Sequence, residues 1–325
     1  MISQPNNALL PRSAWLDRVL GFRGISADMK TLLLVWLVTV TSSSHASAGT
    51  SCDLLALDRT CGSGDLEACA QLAYCLTHAT GRARDDHKAV SLYTRACEGR
   101  VISACGNLGF LYAEGRGVKR DPKLAFAYYE RACKGGSAGD CTNLASLFHL
   151  GDGVPKDLGR ARDLYASGCE KGDGAACTGL GILRADGEGV PKDERAAAKN
   201  FRSGCDKGDA QGCGNLAFML EKGRGVPPNP AQARTLYERA CRGEKWEHCV
   251  NLGIMLANGV GGARQPEEAA RLLTTGCDHE NAVGCFTLGF MYAGSGRPKE
   301  ARGLFAKGCK LGDRQSCDAL SKLPQ

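Results

Sequence analysis

The sequence predicts an all-α protein: an α/α solenoid of about seven 36-residue helix pairs, with one disulfide per repeat. Three observations predict it. Cysteines open a unit at Cys61, Cys97, Cys133, Cys169, Cys205, Cys241 and Cys277, each 36 residues after the last, and Cys309 follows after 32. Each has a partner eight residues on, at Cys69, Cys105, Cys141, Cys177, Cys213, Cys249, Cys285 and Cys317. Counting from that second cysteine, position +3 is leucine in every copy from Leu72 to Leu320, and position +4 is always Gly, Ala or Ser. A unit of this length cannot bury its apolar face alone and must bury it on its neighbours.

Taken in order, residues 1–48 read as a signal region. Met29-Lys30 precedes a short apolar run, Leu32 to Val40, and Ala46-Ser47-Ala48 forms an A-x-A site, so cleavage is expected after Ala48. The run is too short to span a bilayer. An uncleaved anchor is the alternative, and Met29 is an alternative start. Residues 49–64 read as an N-terminal capping half-repeat, 65–312 as the repeats and 313–325 as a C-terminal cap helix.

Within a unit, Leu at +3, a small residue at +4 and Leu or Met at +6 in most copies lie on one helical face. This is helix A. A Gly-x-Gly pair ends it in most copies, as at Gly115 and Gly117 or Gly223 and Gly225. Asp85, Asp121, Asp157, Asp193 and Asn229 then stand where helix B needs a cap, with Gln265 a weak one. Helix B carries alanine eight residues before the next cysteine (Ala89 to Ala301). Four before it comes a large residue: Tyr93, Tyr129, Tyr165, Phe201, Tyr237, Leu273 or Phe305. Small against large is how stacked helices interdigitate, so these rings read as core.

Eighteen cysteines do not suit a reducing compartment. The C-x7-C spacing is too long for zinc hooks, and no C-x-x-C occurs, so regular disulfides are expected: Cys61–Cys69, Cys97–Cys105, Cys133–Cys141, Cys169–Cys177, Cys205–Cys213, Cys241–Cys249, Cys277–Cys285 and Cys309–Cys317. Cys52 and Cys75 stand outside the pattern. A ninth bridge between them is expected, with a buried free thiol as the alternative. Their apolar helical surroundings argue against a redox or metal role. The formal charge is +6 and aromatics are 6%, which gives neither the basic stripe nor the stacking rings of a nucleic-acid binder.

The phrases GNLGFLYAEGRGVKRDPKLAFAYYERAC at 106–133 and GNLAFMLEKGRGVPPNPAQARTLYERAC at 214–241 resemble the Sel-1-like repeat family, over residues 61–317. The eight-residue cysteine spacing resembles its secreted, cysteine-rich Hcp group. The resemblance implies a right-handed superhelix with one disulfide per repeat. It also implies two functions: a scaffold holding a peptide or protein partner, and a penicillin-binding β-lactamase acting on β-lactam amides or peptidoglycan fragments. A mitochondrial assembly factor for cytochrome c oxidase has similar cysteine-paired repeats, but the secretory signal speaks against that location.

Chemistry is harder to find. S-x-x-K, S-D-N, K-T-G and H-E-x-x-H are absent, and no cofactor or metal is expected. Gly135-Gly136-Ser137-Ala138-Gly139 spells G-x-S-x-G, but Ser137 falls where other repeats cap helix A with Asp65, Asp173 or Asp209. One polar position recurs. Position +2 is Gln71, Asn107, Asn143, Asn215, Asn251 and Thr287 in six repeats, although asparagine is a poor interior helix former. In superhelices of the family's type helix A lines the concave face, where an amide ladder could pair with the backbone of an extended peptide. The other reading is that each amide bonds a neighbouring loop carbonyl and only fixes the stacking.

Overall fold

The computed structural model describes residues 52–78, 84–243 and 245–323. The expected signal region, 1–48, lies outside them. All regular structure among the described residues is helical, in two compact units that divide between Lys192 and Asp193. The first unit contains α1 (Leu54–Gly62), α2 (Leu66–His78), α3 (Asp86–Glu98), α4 (Ile102–Glu114), α5 (Pro122–Lys134), α6 (Ala138–Leu150), α7 (Leu158–Glu170) and α8 (Gly174–Asp186). The second contains α9 (Glu194–Asp206), α10 (Ala210–Lys222), α11 (Pro230–Arg242), α12 (Trp246–Asn258), α13 (Pro266–Asp278), α14 (Ala282–Gly294), α15 (Pro298–Lys310) and α16 (Arg314–Lys322). Even numbers are A helices and odd numbers B helices. Within each unit every helix packs on the next one in the chain, which is the neighbour-only packing of a solenoid.

The period has a simple composition. Every helix except α1 and α16 is 13 residues long. Between α4 and α5 lie residues 115–121, and between α5 and α6 lie only 135–137. The link from A to B is therefore long and the turn from B to the next A is tight. The last full repeat loses its four residues in the long link, which shrinks to 295–297 between α14 and α15.

Caps set these lengths. The Asp121 carboxylate accepts from the Lys123 and Leu124 amides at 3.0 and 3.1 Å, and Asp85, Asp157, Asp193 and Asn229 cap their B helices in the same way. Gln265 makes no side-chain cap. At the other end α10 stops on left-handed Gly223, and Gly225, at φ 66°, lies directly against the Glu194 backbone at the start of α9.

The core follows the small-against-large rule. Ala89, Ala125, Ala161, Ala197, Ala233, Ala269 and Ala301 are all fully buried. Tyr93, Tyr129, Tyr165 and Tyr237 are at most 1% exposed. A methyl added to Gly109, at position +4 of α4, would sit 2.9 Å from the Tyr129 ring, so the close approach needs the missing side chain.

Nine disulfides use all eighteen cysteines. Eight close the B-to-A turn, with Cα–Cα distances from 4.4 Å at Cys205–Cys213 to 4.8 Å at Cys97–Cys105. The ninth joins Cys52 to Cys75 and ties the N-terminal edge of α1 to α2, so Cys75 is not a free thiol. This density belongs to an oxidising compartment. No described helix is long and apolar enough to cross a membrane.

Gly225→Ala is expected to destabilise the oxidised protein by more than about 2 kcal/mol in urea unfolding, because the backbone conformation and the Glu194 contact both oppose a side chain. Gly136→Ala, also at positive φ but with open space around it, should cost about 1 kcal/mol.

Candidate functional site

Within each unit an A helix packs on the B helices that adjoin it in the chain, and its leucine at +3 is buried in every repeat from Leu72 to Leu288. Residues spaced by three and four on the remaining side, −2, +2, +5 and +9, form a second stripe. The stripe is uneven. Gln71, Asn107, Asn251 and Thr287 are half-buried, whereas Asn143 and Asn215 are only 9% and 4% exposed.

Two of the +2 side chains face the tyrosine of the preceding B helix. Asn107 and Thr77 face the Tyr93 hydroxyl, and Asn251 faces that of Tyr237, which donates to Glu221 Oε2 at 3.1 Å. Where +2 is Gly179, a methyl there would meet the Tyr165 ring at 2.6 Å, and the Tyr165 hydroxyl instead pairs with Ser146 Oγ at 2.8 Å. Asn215 Oδ1 accepts from Gln211 Nε2 at 3.2 Å. Asn215 Nδ2, Gln211 Oε1 and Asn143 Oδ1 are buried with no partner. Such atoms cost about 1–3 kcal/mol each if they stay unpaired.

Reasoning from sequence missed position +5. It holds Tyr74, Phe110, Ile182, Phe218, Ile254 and Phe290, with buried Ser146 the polar member. Tyr74 is 39% exposed and Phe290 68%, and the other four are half-buried. The signal was available, since these apolar residues lie one turn past the asparagines and off the leucine stripe. Arginines cover two of them. Arg116 lies 5.6 Å from the Phe110 ring centroid, and also pairs with Asp86 at 2.9 Å and with the Thr77 carbonyl at 3.0 Å. Arg224 lies 5.8 Å from the Phe218 ring and pairs with Glu194.

The model of the Sel1 repeat matches residues 66–100, 102–137, 140–173, 174–209, 210–244, 249–281 and 282–313. The chain belongs to the Sel1 repeat family. Among solved structures it is similar to c5321, a protective antigen present in uropathogenic Escherichia coli strains and displaying an SLR fold. The identity is 24% over 83% of this chain and 67% of that one, at a TM-score of 0.59. It is also similar to a Sel1 repeat protein from Oxalobacter formigenes, 24% identical over 70% of this chain and all of that one, at a TM-score of 0.60. These likenesses bear on the fold. No curated protein matches the chain.

The Sel1 repeats are not interchangeable, and several polar pairs recur three repeats apart. Arg116–Asp86 in the first unit corresponds to Arg224–Glu194 in the second. Position −1, small in the other repeats, is Asp140 in one unit and His248 in the other, and each presses on a glycine of the preceding A helix, Gly106 or Gly214. Burial pushes the Asp140 carboxyl up, against hydrogen bonds from Ser137 and Asn143. Burial also pushes up the Tyr129 hydroxyl, helped by Asp140 and Glu114, and lowers the His248 imidazole.

Ser137 caps α6, donating to Asp140 Oδ2 at 2.5 Å and accepting from the Asp140 amide. Its place in G-x-S-x-G is thus a helix start rather than a nucleophile turn. The histidines are dispersed, and no group of three metal-capable side chains occurs among the described residues. His149 Nε2 meets Glu188 Oε2 at 2.9 Å, with Lys156 Nζ at 3.2 Å from the same oxygen.

The His149 hydrogen bond, with His149 and Lys156 charge behind it, lowers the Glu188 carboxyl to about 2. The folded pKa lies below the unfolded one, so this stabilisation is complete above about pH 5 and is lost as pH falls toward 2. Urea unfolding between pH 5 and pH 2.5 should show a shallower loss of stability in Glu188→Gln than in the parent. Equal slopes would show that the pair adds nothing.

Proposed function

We propose that this chain is a secreted or periplasmic, disulfide-stapled Sel1 repeat scaffold that holds an extended peptide or protein segment on a concave face lined by its A helices. One observation carries the reading. Half-exposed apolar side chains at +5 alternate along the A-helix stripe with amides at +2, in both units. Amides pair with any peptide backbone, and apolar positions beside them take side chains, which separates affinity from specificity. Apolar residues that stay partly exposed at one repeat position, rather than scattered singly, mark an interaction surface. The disulfides and the expected signal favour export.

The β-lactam hydrolysis implied by the Hcp resemblance draws on no constellation of residues found here. Turnover of a chromogenic β-lactam by the oxidised protein, above a blank, would put an enzyme in place of the scaffold.

Selection from a displayed random-peptide library on the oxidised protein should yield binders that Phe110→Ala/Asn107→Ala and Phe218→Ala/Ile254→Ala weaken about ten-fold or more, as expected for truncated anchors. Phe110 and Ile254 also pack against the core, so binding is compared at a temperature well below the thermal midpoint of each variant. Undiminished binding by both variants would show that the A-helix stripe is not the site.

A further inference from the structure

The second unit has a buried histidine at a place where most repeats hold a small residue. Position −1 of the A helix is Ala68, Ala104, Ala176, Gly212, Gly284 or Ser316 in six repeats. In α12 it is His248, only 3% exposed. The ring fits because the facing residue of α10 is Gly214, where an added methyl would collide with His248 Nε2. Neither ring nitrogen has a hydrogen-bond partner. Elsewhere position +1 carries a side chain (Ala70, Thr142, Thr178, Val250, Phe286), apart from Gly106, which faces Asp140. The glycine and the oversized polar residue therefore come as a matched pair, once in each unit.

We propose that His248 is an acid-released latch: on taking a proton it leaves its place against Gly214 and α12 parts from α10, while the equivalent Asp140 layer of the first unit stays closed. The surroundings offer an imidazolium little compensation. The nearest carboxylate is Glu247 on its own helix, whose Oε1 is also buried without a partner but stands 3.8 Å from Nε2, beyond hydrogen-bond reach; burial outweighs its attraction, and Lys245 opposes the charge. From α10, Asp209 acts on it but is engaged in capping, accepting from the Gly212 amide at 2.8 Å. From α11 the Tyr237 ring stands 5.9 Å away, with its hydroxyl committed to Glu221. The buried residues of α13 and α14 are apolar side chains, glycines or bridged cysteines.

The sign follows from burial. The packed imidazole binds its proton less readily than an open one, so below about pH 6.5 acid favours the parted state. Asp140 has the opposite sign. Its buried carboxyl binds a proton more readily than an open chain does, so mild acid relieves that layer rather than opening it. The disulfides at Cys205–Cys213 and Cys241–Cys249 hold the turns, so the release is a local parting and not a loss of fold. It would free the Gln211 and Asn215 amides of α10, although the latch itself does not depend on what binds there.

Amide hydrogen exchange of the full oxidised chain, corrected for intrinsic rates, tests this between pH 7.5 and pH 5.0. Peptides covering 210–222 and 246–258 should exchange about ten-fold or more faster in acid, and those covering 102–114 and 138–150 should not. His248→Ala, which puts in the side chain of Ala68, Ala104 and Ala176, and His248→Phe, which keeps a ring that cannot titrate, should both lose the acid response. An unchanged 210–222 and 246–258 in the parent, equal acceleration in both units, or an acid response that survives in either folded variant would overturn the proposal. If both variants misfold, the contrast between the two units of the parent still decides it.

Discussion

The constraint on which the rest depends is the bridge across each tight turn. Two cysteines eight residues apart, with Cα atoms no more than 4.8 Å from one another, fix the end of a B helix beside the start of the next A helix. A staple at this point holds the two helices together at the turn whatever the core around them contains. Closing so short a loop contributes about 2–3 kcal/mol per bridge on the chain-entropy estimate. Everything else in the period, the 13-residue helices, the capped long link and the alanine under each ring, then has to be correct only within one repeat and its neighbour.

That locality explains what could be read from the sequence. Asp121 and its equivalents announce B-helix starts because a cap depends on residues two or three away. Gly225 announces a turn for an equally local reason, its positive φ. The leucine at +3 and the tyrosine before each cysteine recur because every repeat stacks in the same way. The stripe at +2 and +5 was half legible. The asparagines stood out as residues unsuited to a helix interior, but apolar residues at +5 look like more core until the structure leaves them half-exposed at its edge.

Other parts that could not be read lie between repeats. Asn107 and Asn143 occupy one repeat position, yet the first is half-buried and the second nearly closed off. The difference comes from the neighbours each meets: Asn143 lies beside Asp140 and under Ser146, where the equivalent residues around Asn107 are Ala104 and Phe110. The pairing of Gly106 with Asp140, or Gly214 with His248, joins residues 34 apart in the sequence and breaks the consensus at both ends. A single repeat seen alone makes each look like noise, and only the contact makes them one feature.

The same staples explain how an array of small apolar layers can hold polar residues at all. A buried hydrogen-bonding atom without a partner costs about 1–3 kcal/mol, which would be severe for a repeat held only by its own few contacts. One bridge per turn offsets a cost of that size. Layers with unpaired buried atoms, among them those of Tyr129 and Asn143 in one unit and of Gln211, Asn215 and His248 in the other, lie between bridged turns. Stability at the turns thus leaves the A-helix stripe free to vary in polarity from repeat to repeat, which is the freedom a recognition surface requires.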